Sequence, residues 1–231
     1  MRTIIIGDIH GCYRELTALL HKLDFQEEKD TLISLGDLID RGEYTYEVFD
    51  FFRKARVHMK ERCIIVRGNH EQMLISSLHD SWMRQMWQQD GGMESRRSFE
   101  LHNDHILSHL DWFEQNTVLY HESKWFQCVH AGIKNEKPCR NTSETLMWDR
   151  SVVLFNNYLG KITIAGHTPM KDPYYFAGVQ RDSHKIVDHH LQYLPETGLI
   201  NIDTGCVSGG RLTAMVIEDY EFFTESVPRG I

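Results

Sequence analysis

Apolar and polar positions follow a repeating order over the first third of the chain. Three short apolar runs at residues 3–6, 31–35 and 63–66 have the length and composition of buried strands. A glycine follows each run, directly after the first two and after Arg67 in the third, and charged or polar side chains follow the glycine. An acidic surface turn would explain residues 35–42 taken alone. The order of apolar run, glycine and polar cluster, however, occurs at three strand ends, and this repetition favours a shared site at one edge of a sheet.

Helical periodicity separates these strands. The first helix carries leucines at i, i+3, i+4 and i+7, and the set is Leu16, Leu19, Leu20 and Leu23. The second helix begins near Glu43 and buries Val48, Phe52 and Ala55. A third helix runs from His70, with Leu74 and Leu78 on its inner side. Because crossover connections are right-handed, this β-α-β-α-β order predicts three parallel strands.

The rest of the chain changes character. Residues 79–116 are predicted to form an aromatic-rich helical excursion, interrupted by Gly91 and Gly92. This excursion is either a lid or pocket wall, or a peripheral helical pair that covers the sheet. Beyond it, short strands are predicted at 117–120, 125–129, 162–165, 199–203 and 212–217, with one short helix at 142–148. No Pro/Gly/Ser-rich linker divides the chain, so we expect one domain over residues 1–231.

Composition narrows the possible partners. The net charge of -8, from 25 basic and 33 acidic residues, argues against binding to a nucleic-acid backbone. No apolar run approaches the ~20 residues that span a bilayer. The five cysteines are odd in number and form no CxxC pair, which indicates reduced thiols. We therefore expect a cytoplasmic protein without nucleic-acid or membrane partners, and a monomer.

The polar clusters at the strand ends contain residue types that bind metals. The candidate metal ligands are Asp8, His10, Asp37, Asn69, His130 and His167. This mixture of carboxylate, imidazole and amide oxygen suits Mn, Fe or Zn better than Mg or Ca. Six ligands exceed what one catalytic ion needs, because such an ion keeps positions open for water and substrate. Two ions ~3.5–4 Å apart, bridged by Asp37 on the middle strand, fit the set better.

Such a site favours phosphate esters as substrates. Two divalent ions outweigh two carboxylates, and they lower the pKa of bound water toward ~7, which makes a hydroxide nucleophile available at neutral pH. Arg41 is predicted to hold the phosphate as a planar fork. We predict His70 as the general acid, with Asp40 fixing its tautomer and raising its pKa.

Five blocks of the sequence together resemble the metal-dependent phosphoprotein phosphatases among the calcineurin-like metallophosphoesterases. They are Gly7-Asp8-Ile9-His10-Gly11, Gly36-Asp37-Leu38-Ile39-Asp40-Arg41-Gly42, Gly68-Asn69-His70-Glu71, His130-Ala131-Gly132 and Gly166-His167-Thr168. The resemblance implies an α/β fold, a four-layer α/β/β/α sandwich with a dinuclear metal site at the strand ends.

The resemblance also implies residue roles. One ion would be bound by Asp8, His10 and Asp37, and the other by Asp37, Asn69, His130 and His167. The acid dyad would be His70 and Asp40, and the substrate phosphate would contact Arg41, Asn69 and Arg150, the last through its place in the segment 147–150.

Within the family the chain is most similar to the small bacterial and bacteriophage lambda type of protein phosphatase. Symmetrical diadenosine tetraphosphatases share its Gly11-Cys12-Tyr13 and a block like residues 203–206, but tend to depart at the Asp-Arg-Gly, Asn-His-Glu and Gly-His-Thr positions that this chain keeps.

Three functions remain open from the sequence. The first is a phosphomonoesterase that uses two divalent ions, Mn²⁺ before Fe or Zn, to hydrolyse phosphorylated Ser, Thr or Tyr residues of a protein or peptide. The second is a hydrolase of diadenosine tetraphosphate, or of another small phosphate ester, at the same site. The third is a metal-stabilised binding or regulatory protein without activity, which intact His70, Asp40 and Arg41 make the weakest of the three.

Overall fold

The computed structural model describes residues 2–230, which form twelve strands and eight α-helices. The strands are β1 (Thr3–Ile6), β2 (Thr31–Ser34), β3 (Cys63–Ile65), β4 (Tyr120–Glu122), β5 (Gln127–Val129), β6 (Thr163–Ala165), β7 (Tyr174–Phe176), β8 (His184–Lys185), β9 (Gln192–Tyr193), β10 (Leu199–Asn201), β11 (Arg211–Glu218) and β12 (Glu221–Pro228). The helices are α1 (Tyr13–Lys22), α2 (Thr45–Met59), α3 (Asn69–Ser76), α4 (Ser81–Trp87), α5 (Met93–Glu100), α6 (Leu110–Asn116), α7 (Ser143–Trp148) and α8 (Ser151–Phe155).

The strands form two six-stranded mixed sheets. The first has the order β3-β2-β1-β11-β12-β9, and the second has the order β4-β5-β6-β10-β7-β8. Strands β1, β2 and β3 are parallel to one another, which confirms the prediction from the β-α-β-α-β pattern. In the second sheet β5, β6 and β10 are also parallel. The carboxyl ends of both parallel sets carry the polar residues that the sequence singled out.

Successive side chains of a strand point to opposite faces of its sheet, and they divide between three hydrophobic cores. In β1, Ile4 and Ile6 pack with the helices on the outer face, while Ile5 packs between the two sheets. On the outer face of the second sheet, Val129 and Ala165 share a core with α7 and α8. The order of layers is therefore helix, sheet, sheet, helix, and the predicted four-layer α/β/β/α sandwich is confirmed.

Three local expectations differ from the structure. Helix α3 ends at Ser76, so Leu78 lies in the turn beyond it and is 50% exposed instead of facing inward. The strand expected at 117–120 starts at Tyr120. The sequence pattern predicts neither α8 nor the strands β7, β8, β9 and β12, of which β12 is eight residues long. It pairs with β11 through a two-residue hairpin turn at Asp219 and Tyr220. The mixed polar and apolar sequence of β12 does not predict a strand, and the backbone hydrogen bonds to β11 stabilise it as one.

The excursion at residues 79–116 forms α4, a wide helical turn at Gln88–Gly92, α5, a short turn at Ile106–His109 and α6. Trp87, Phe99 and Phe113 are buried in the core that also contains α2. The wide turn projects toward the polar edge of the sheets, where Asp90 lines a cavity. The excursion thus covers the outer face and also provides a wall of that cavity. None of the helices between residues 2 and 230 is long and apolar enough to cross a bilayer.

Candidate metal and phosphate site

The carboxyl ends of the parallel strands surround a cavity of about 350 Å³. Of the predicted site residues, its lining includes Asp8, His10, Asp37, Arg41, Asn69, His70, Arg150 and His167. His130 lies directly behind this surface in contact with Asn69 and His167, and Asp40 lies behind His70. The structure therefore brings together every site residue that the sequence predicted.

The loops that deliver these side chains have unusual backbone conformations. Left-handed φ angles occur at five non-glycine residues of the site: His10 (43°), Asp37 (49°), Asp40 (72°), Arg41 (69°) and His167 (65°). Such conformations are costly and persist where the surrounding structure enforces them. Packing around the loops is also tight, because a Cβ on Gly68 would collide with the carboxylate of Asp37. Only glycine can therefore occupy this position beside the Asp37 side chain.

Asp37 lies at the centre of the site and faces histidines on two sides. Its Oδ2 is 3.3 Å from Nε2 of His10, and its Oδ1 is 3.5 Å from Nε2 of His130. Burial raises the pKa of Asp37, but the interactions of its carboxylate with the imidazoles of His130, His70 and His10 outweigh this effect and hold the pKa well below its usual value. The carboxylate is thus ionised and presents one oxygen to each half of the site.

One half contains Asp37, Asn69, His130 and His167. His130 Nδ1 lies 2.7 Å from the carbonyl oxygen of Leu35, so this nitrogen carries the proton and Nε2 is left as an acceptor. That Nε2 lies 3.0 Å from Asn69 Oδ1 and 3.2 Å from His167 Nδ1. Burial lowers the pKa of His130, and burial together with His130 lowers the pKa of His167 to about 3, so both imidazoles are neutral. Neutral imidazoles and an amide oxygen converging with a carboxylate fit a divalent cation.

The other half contains Asp8, His10 and Asp37. His10 Nδ1 lies 2.7 Å from the carbonyl oxygen of Ile39, which again leaves Nε2 as the acceptor that faces Asp37. The Asp8 carboxylate accepts the backbone N–H of His167 at 3.0 and 3.1 Å, which ties the end of β1 to the end of β6. Burial, followed by the charge of Asp203, raises the pKa of Asp8 well above its usual value. A cation would relieve this unfavourable charge.

His70 and Asp40 form a buried hydrogen-bonded pair at one side of the cavity. His70 Nδ1 is 2.7 Å from Asp40 Oδ2, and the other carboxylate oxygen accepts Trp87 Nε1 at 3.0 Å and Ser95 Oγ at 2.6 Å. Burial lowers the pKa of His70, but Asp37 and Asp40 outweigh it and raise the pKa to about 9. His70 is therefore protonated near neutral pH and directs its Nε2 toward Asp37, 3.9 Å away.

Two arginines border the cavity. Arg41 Nη1 donates to His10 Nε2 at 3.1 Å, and its Nη2 pairs with Asp90 Oδ1 at 2.8 Å. Arg150 Nη1 donates to the carbonyl oxygen of His167 at 2.7 Å. Both guanidinium groups thus lie at the rim of the cavity, above the predicted metal ligands, where they can reach an anion.

Some residues of the site had no role assigned from sequence. Glu71 accepts hydrogen bonds from the backbone N–H groups of Asp37, Leu38 and Gly68 at 2.8–2.9 Å, so it fixes the loop that carries Asp37. Asp90 lines the cavity, and so does Asp203, which is only 4% exposed. The signal for Asp203 was present, because it follows an apolar run as Asp8 does. Asp90 lies in the glycine break of the excursion, and no local pattern distinguishes it.

Comparison with known proteins agrees with this geometry. A family model described as calcineurin-like phosphoesterase matches residues 1–190. The symmetrical bis(5'-nucleosyl)-tetraphosphatase of an Escherichia coli strain is 27% identical and is aligned over 97% of this chain and 95% of its own length. A solved structure described as a putative diadenosine tetraphosphatase has a TM-score of 0.66 at 20% identity, covering 99% of this chain and 94% of that one.

A cold-active protein tyrosine phosphatase has a TM-score of 0.68 at 14% identity, covering 98% of this chain and 78% of that one. At such identities the two structures establish the fold alone. The family match includes every strand end that delivers a predicted site residue. The sequence blocks, the sandwich and the match over most of the length agree, and the chain belongs to the calcineurin-like phosphoesterases, a family of metal-dependent phosphatases with a dinuclear divalent metal site.

Proposed function

We propose that this protein is a phosphomonoesterase that removes phosphate from phosphorylated Ser or Thr residues, and also from Tyr, with two divalent ions. The observation that carries the proposal is the position of Asp37. Its two carboxylate oxygens face different histidines, at 3.3 and 3.5 Å, as a residue shared by two ions must. Nε2 of the protonated His70 lies 3.9 Å from the same carboxylate, and this distance supports a role for His70 as the acid.

The residues divide between the two ions as the donor sets indicate. Asp8, His10 and Asp37 would hold one ion, and Asp37, Asn69, His130 and His167 would hold the other. When bound, the pair would supply a hydroxide nucleophile near neutral pH and positive charge for the phosphoryl oxygens. We propose Mn²⁺ as the metal, since the ligands mix imidazole with oxygen donors.

His70 is proposed to protonate the leaving group. Its Nδ1–H is held by Asp40, so the second proton resides on Nε2, which faces the cavity. A hydroxide, formed from water by release of a proton to solvent, bonds through its oxygen to phosphorus as the P–O ester bond breaks. The departing alkoxide takes the Nε2 proton and leaves as the alcohol, and the phosphoryl group leaves as inorganic phosphate. Arg41 and Arg150, together with Asn69, are proposed to hold the phosphoryl oxygens during the displacement.

The charge of the cavity supports a monoester over a polyphosphate. Among the described residues that line it, the positively charged side chains are Arg41, Arg150 and the proposed acid His70, whereas Asp8, Asp37, Asp90 and Asp203 are acidic. Two arginines and two ions suffice for one phosphoryl group. Three further phosphates would find no additional cation in this lining and would meet the carboxylate of Asp90 at the rim.

A symmetrical dinucleoside tetraphosphatase is the second candidate. It is favoured by the tetraphosphatase relative, which aligns over 97% of this chain at 27% identity. The reaction centre would be the same, and only the binding of the leaving group would differ.

The substrate assignment is tested with the Mn-loaded protein on a panel of phosphoserine, phosphothreonine and phosphotyrosine peptides, p-nitrophenyl phosphate and diadenosine tetraphosphate. We expect the highest kcat/KM on a phosphopeptide. A tenfold or greater preference for the dinucleotide, a difference of about 1.4 kcal/mol in transition-state binding, would reverse the order of the two candidates.

The His70→Asn variant tests the acid. General acid catalysis contributes roughly 10²- to 10⁴-fold, so we expect kcat to fall by that factor while metal content stays at two ions. His190→Asn is the matched control, because His190 is exposed and far from the predicted ligands in the sequence. Turnover that is equal in both variants would exclude His70 as the acid, and no metal-dependent turnover in the wild type would favour the binding-protein alternative.

A further inference from the structure

A buried carboxylate outside the six proposed metal ligands, that of Asp203, borders the half of the site that contains Asp8 and His10. It follows β10 as Asp8 follows β1 and His167 follows β6. It lines the same cavity as these residues and is 4% exposed, similar to the 6% of Asp8. None of the roles proposed above uses it.

The backbone brings Asp203 close to Asp8. A Cβ placed on Gly7 would lie 2.8 Å from the carbonyl oxygen of Ile202 and 3.6 Å from Cα of Asp203. The chain leaving β1 therefore runs directly against the chain leaving β10, with no side chain between them. Two carboxylates consequently enter one end of the cavity from adjacent backbone segments.

Within residues 2–230 these two carboxylates have no lysine or arginine at ion-pair distance, and Arg150 acts on Asp203 only from farther across the cavity. Neither Asp8 nor Asp203 forms an ion pair with a lysine or arginine in this part of the chain. Oδ1 of Asp203 accepts the backbone N–H of Gly205 at 2.9 Å, whereas Oδ2 accepts no hydrogen bond from any described residue. Buried charges are normally paired or coordinate a metal, because an unpaired charge loses its hydration without compensation. A cation is the partner that this pair of carboxylates requires.

We infer that Asp203 binds the divalent ion held by Asp8 and His10 and supplies a third carboxylate to that ion. The inference rests on the dinuclear site of the proposed function. A hard carboxylate oxygen is a suitable additional ligand for Mn²⁺, which accepts more than the three side chains otherwise assigned to this ion. With Asp203 the two ions face three carboxylates, and the net positive charge available to a phosphate falls from two to one.

The substitution Asp203→Asn is expected to stabilise the metal-free protein and to weaken its binding of metal. Without metal, the Asp203 carboxylate repels Asp8, so Asp203→Asn raises the melting temperature. With metal, the same change removes a ligand, so it weakens binding of one Mn²⁺ ion. Asparagine keeps the oxygen that accepts the Gly205 N–H, which preserves the local turn. A residue with only a structural role would not give this reversal of sign.

The experiment measures the melting temperature of the metal-free protein and the affinity for Mn²⁺ by titration calorimetry. Loss of a group that supports a metal commonly costs about 10- to 100-fold in affinity, and we expect a loss of this size for one of the two ions in Asp203→Asn. Asp219→Asn is the matched control, because it removes the same charge at an exposed residue and should change neither quantity.

Two results would overturn the inference. One is Mn²⁺ affinity in Asp203→Asn within twofold of the wild type, and the other is a lower melting temperature of the metal-free variant. A wild-type protein that binds fewer than two Mn²⁺ ions would instead contradict the proposed dinuclear site. The double variant with Asp8→Asn completes the comparison, since two repelling carboxylates predict a combined gain in metal-free stability smaller than the sum of the single gains.

Discussion

At the scale of single residues, the site depends on which nitrogen of each histidine faces the cavity. His10 and His130 each give Nδ1 to a backbone carbonyl, at 2.7 Å in both cases, and this fixes Nε2 as the acceptor toward Asp37. His70 gives its Nδ1 to the Asp40 carboxylate instead, also at 2.7 Å. The charge of Asp37, together with the hydrogen bond and charge of Asp40, raises the pKa of His70 so that it holds a second proton, whereas at His130 burial outweighs the charge of Asp37 and lowers the pKa. A histidine of this site is thus suited to bind a metal or to act as an acid, according to the group that accepts its Nδ1 hydrogen bond.

Asp37→Asn and Arg41→Ala separate the shared ligand from the phosphate-binding residue. Asparagine has one neutral oxygen and cannot serve both halves, so we expect both Mn²⁺ ions to bind at least about tenfold more weakly. Arg41→Ala removes a group at the rim and should lower kcat/KM with metal content near two ions. Metal analysis of the two purified variants measures the difference. Equal metal loss in both, or wild-type affinity for one ion in Asp37→Asn, would contradict the assignment of Asp37 as the bridge.

At the scale of secondary-structure elements, the wide turn between α4 and α5 positions the loop that carries Asp40 and Arg41. The carbonyl oxygen of Gly91 accepts the N–H of Arg41 at 3.2 Å. Ser95 Oγ accepts the N–H of Asp40 at 2.8 Å and donates to its carboxylate at 2.6 Å. The helical excursion therefore holds both the orienting carboxylate and the predicted phosphate-binding arginine, in addition to covering the sheet.

Gly91→Ala tests this contact. Gly91 has φ +106°, and a Cβ there would lie 2.5 Å from the Arg41 nitrogen, so the loop must move. We expect a loss of about 1–3 kcal/mol in stability from the backbone strain and a fall in kcat/KM of roughly tenfold or more from misplaced Arg41. Urea unfolding measures the loss of stability, and steady-state kinetics measures the fall in kcat/KM.

Gly209→Ala provides the matched control for this prediction. Gly209 has φ +90° but open space around the Cβ position, so it carries the strain without the collision. We expect a comparable stability loss with nearly unchanged kcat/KM. If the two variants lose activity equally, the wide turn has no positioning role.

At the scale of the whole molecule, one ion pair connects the starts of β1 and β2, at the end of these strands opposite the site. Arg2 donates to Asp30 through Nε at 3.0 Å and Nη2 at 2.6 Å, and through Nη1 to the carbonyl oxygen of Leu23 at 2.9 Å. Burial raises the pKa of Asp30, but the hydrogen bonds and charge of Arg2 outweigh it and lower the pKa below its usual 3.8. The pair stabilises the sheet without contributing to the chemistry.

Asp30→Asn is expected to destabilise the protein by about 2 kcal/mol at neutral pH, the size of a charge-assisted hydrogen bond. Because the folded pKa lies below the unfolded value of 3.8, this contribution is complete above about pH 5 and is lost as the pH falls through the folded pKa. Urea unfolding of the wild type and of Asp30→Asn at several pH values between 7 and 3.5 measures the difference between their free energies of unfolding. If this difference stays constant below pH 4, the ionised carboxylate of Asp30 is not its cause.

The sequence by itself determined the chemistry of the strand ends and the parallel arrangement of the first three strands. Each signal is local, because a short apolar run followed by glycine and a ligand-type residue occupies fewer than ten positions. Period-two alternation then decides which side chains of β1 face the helices and which face the second sheet. These features therefore followed from spacing and from the resemblance of the five blocks.

The tertiary structure alone decided which residues support the site from a distance. Trp87 and Ser95 reach Asp40 across 47 and 55 positions, and no local pattern marks a hydrogen bond between residues so far apart in the chain. Asp90 contacts Arg41 only because a wide helical turn projects it over the cavity. Asp203 meets Asp8 because the ends of β1 and β10 run together at one edge. Such proximity depends on how the layers pack, and the sequence reveals packing only through side chains that repeat at a fixed period.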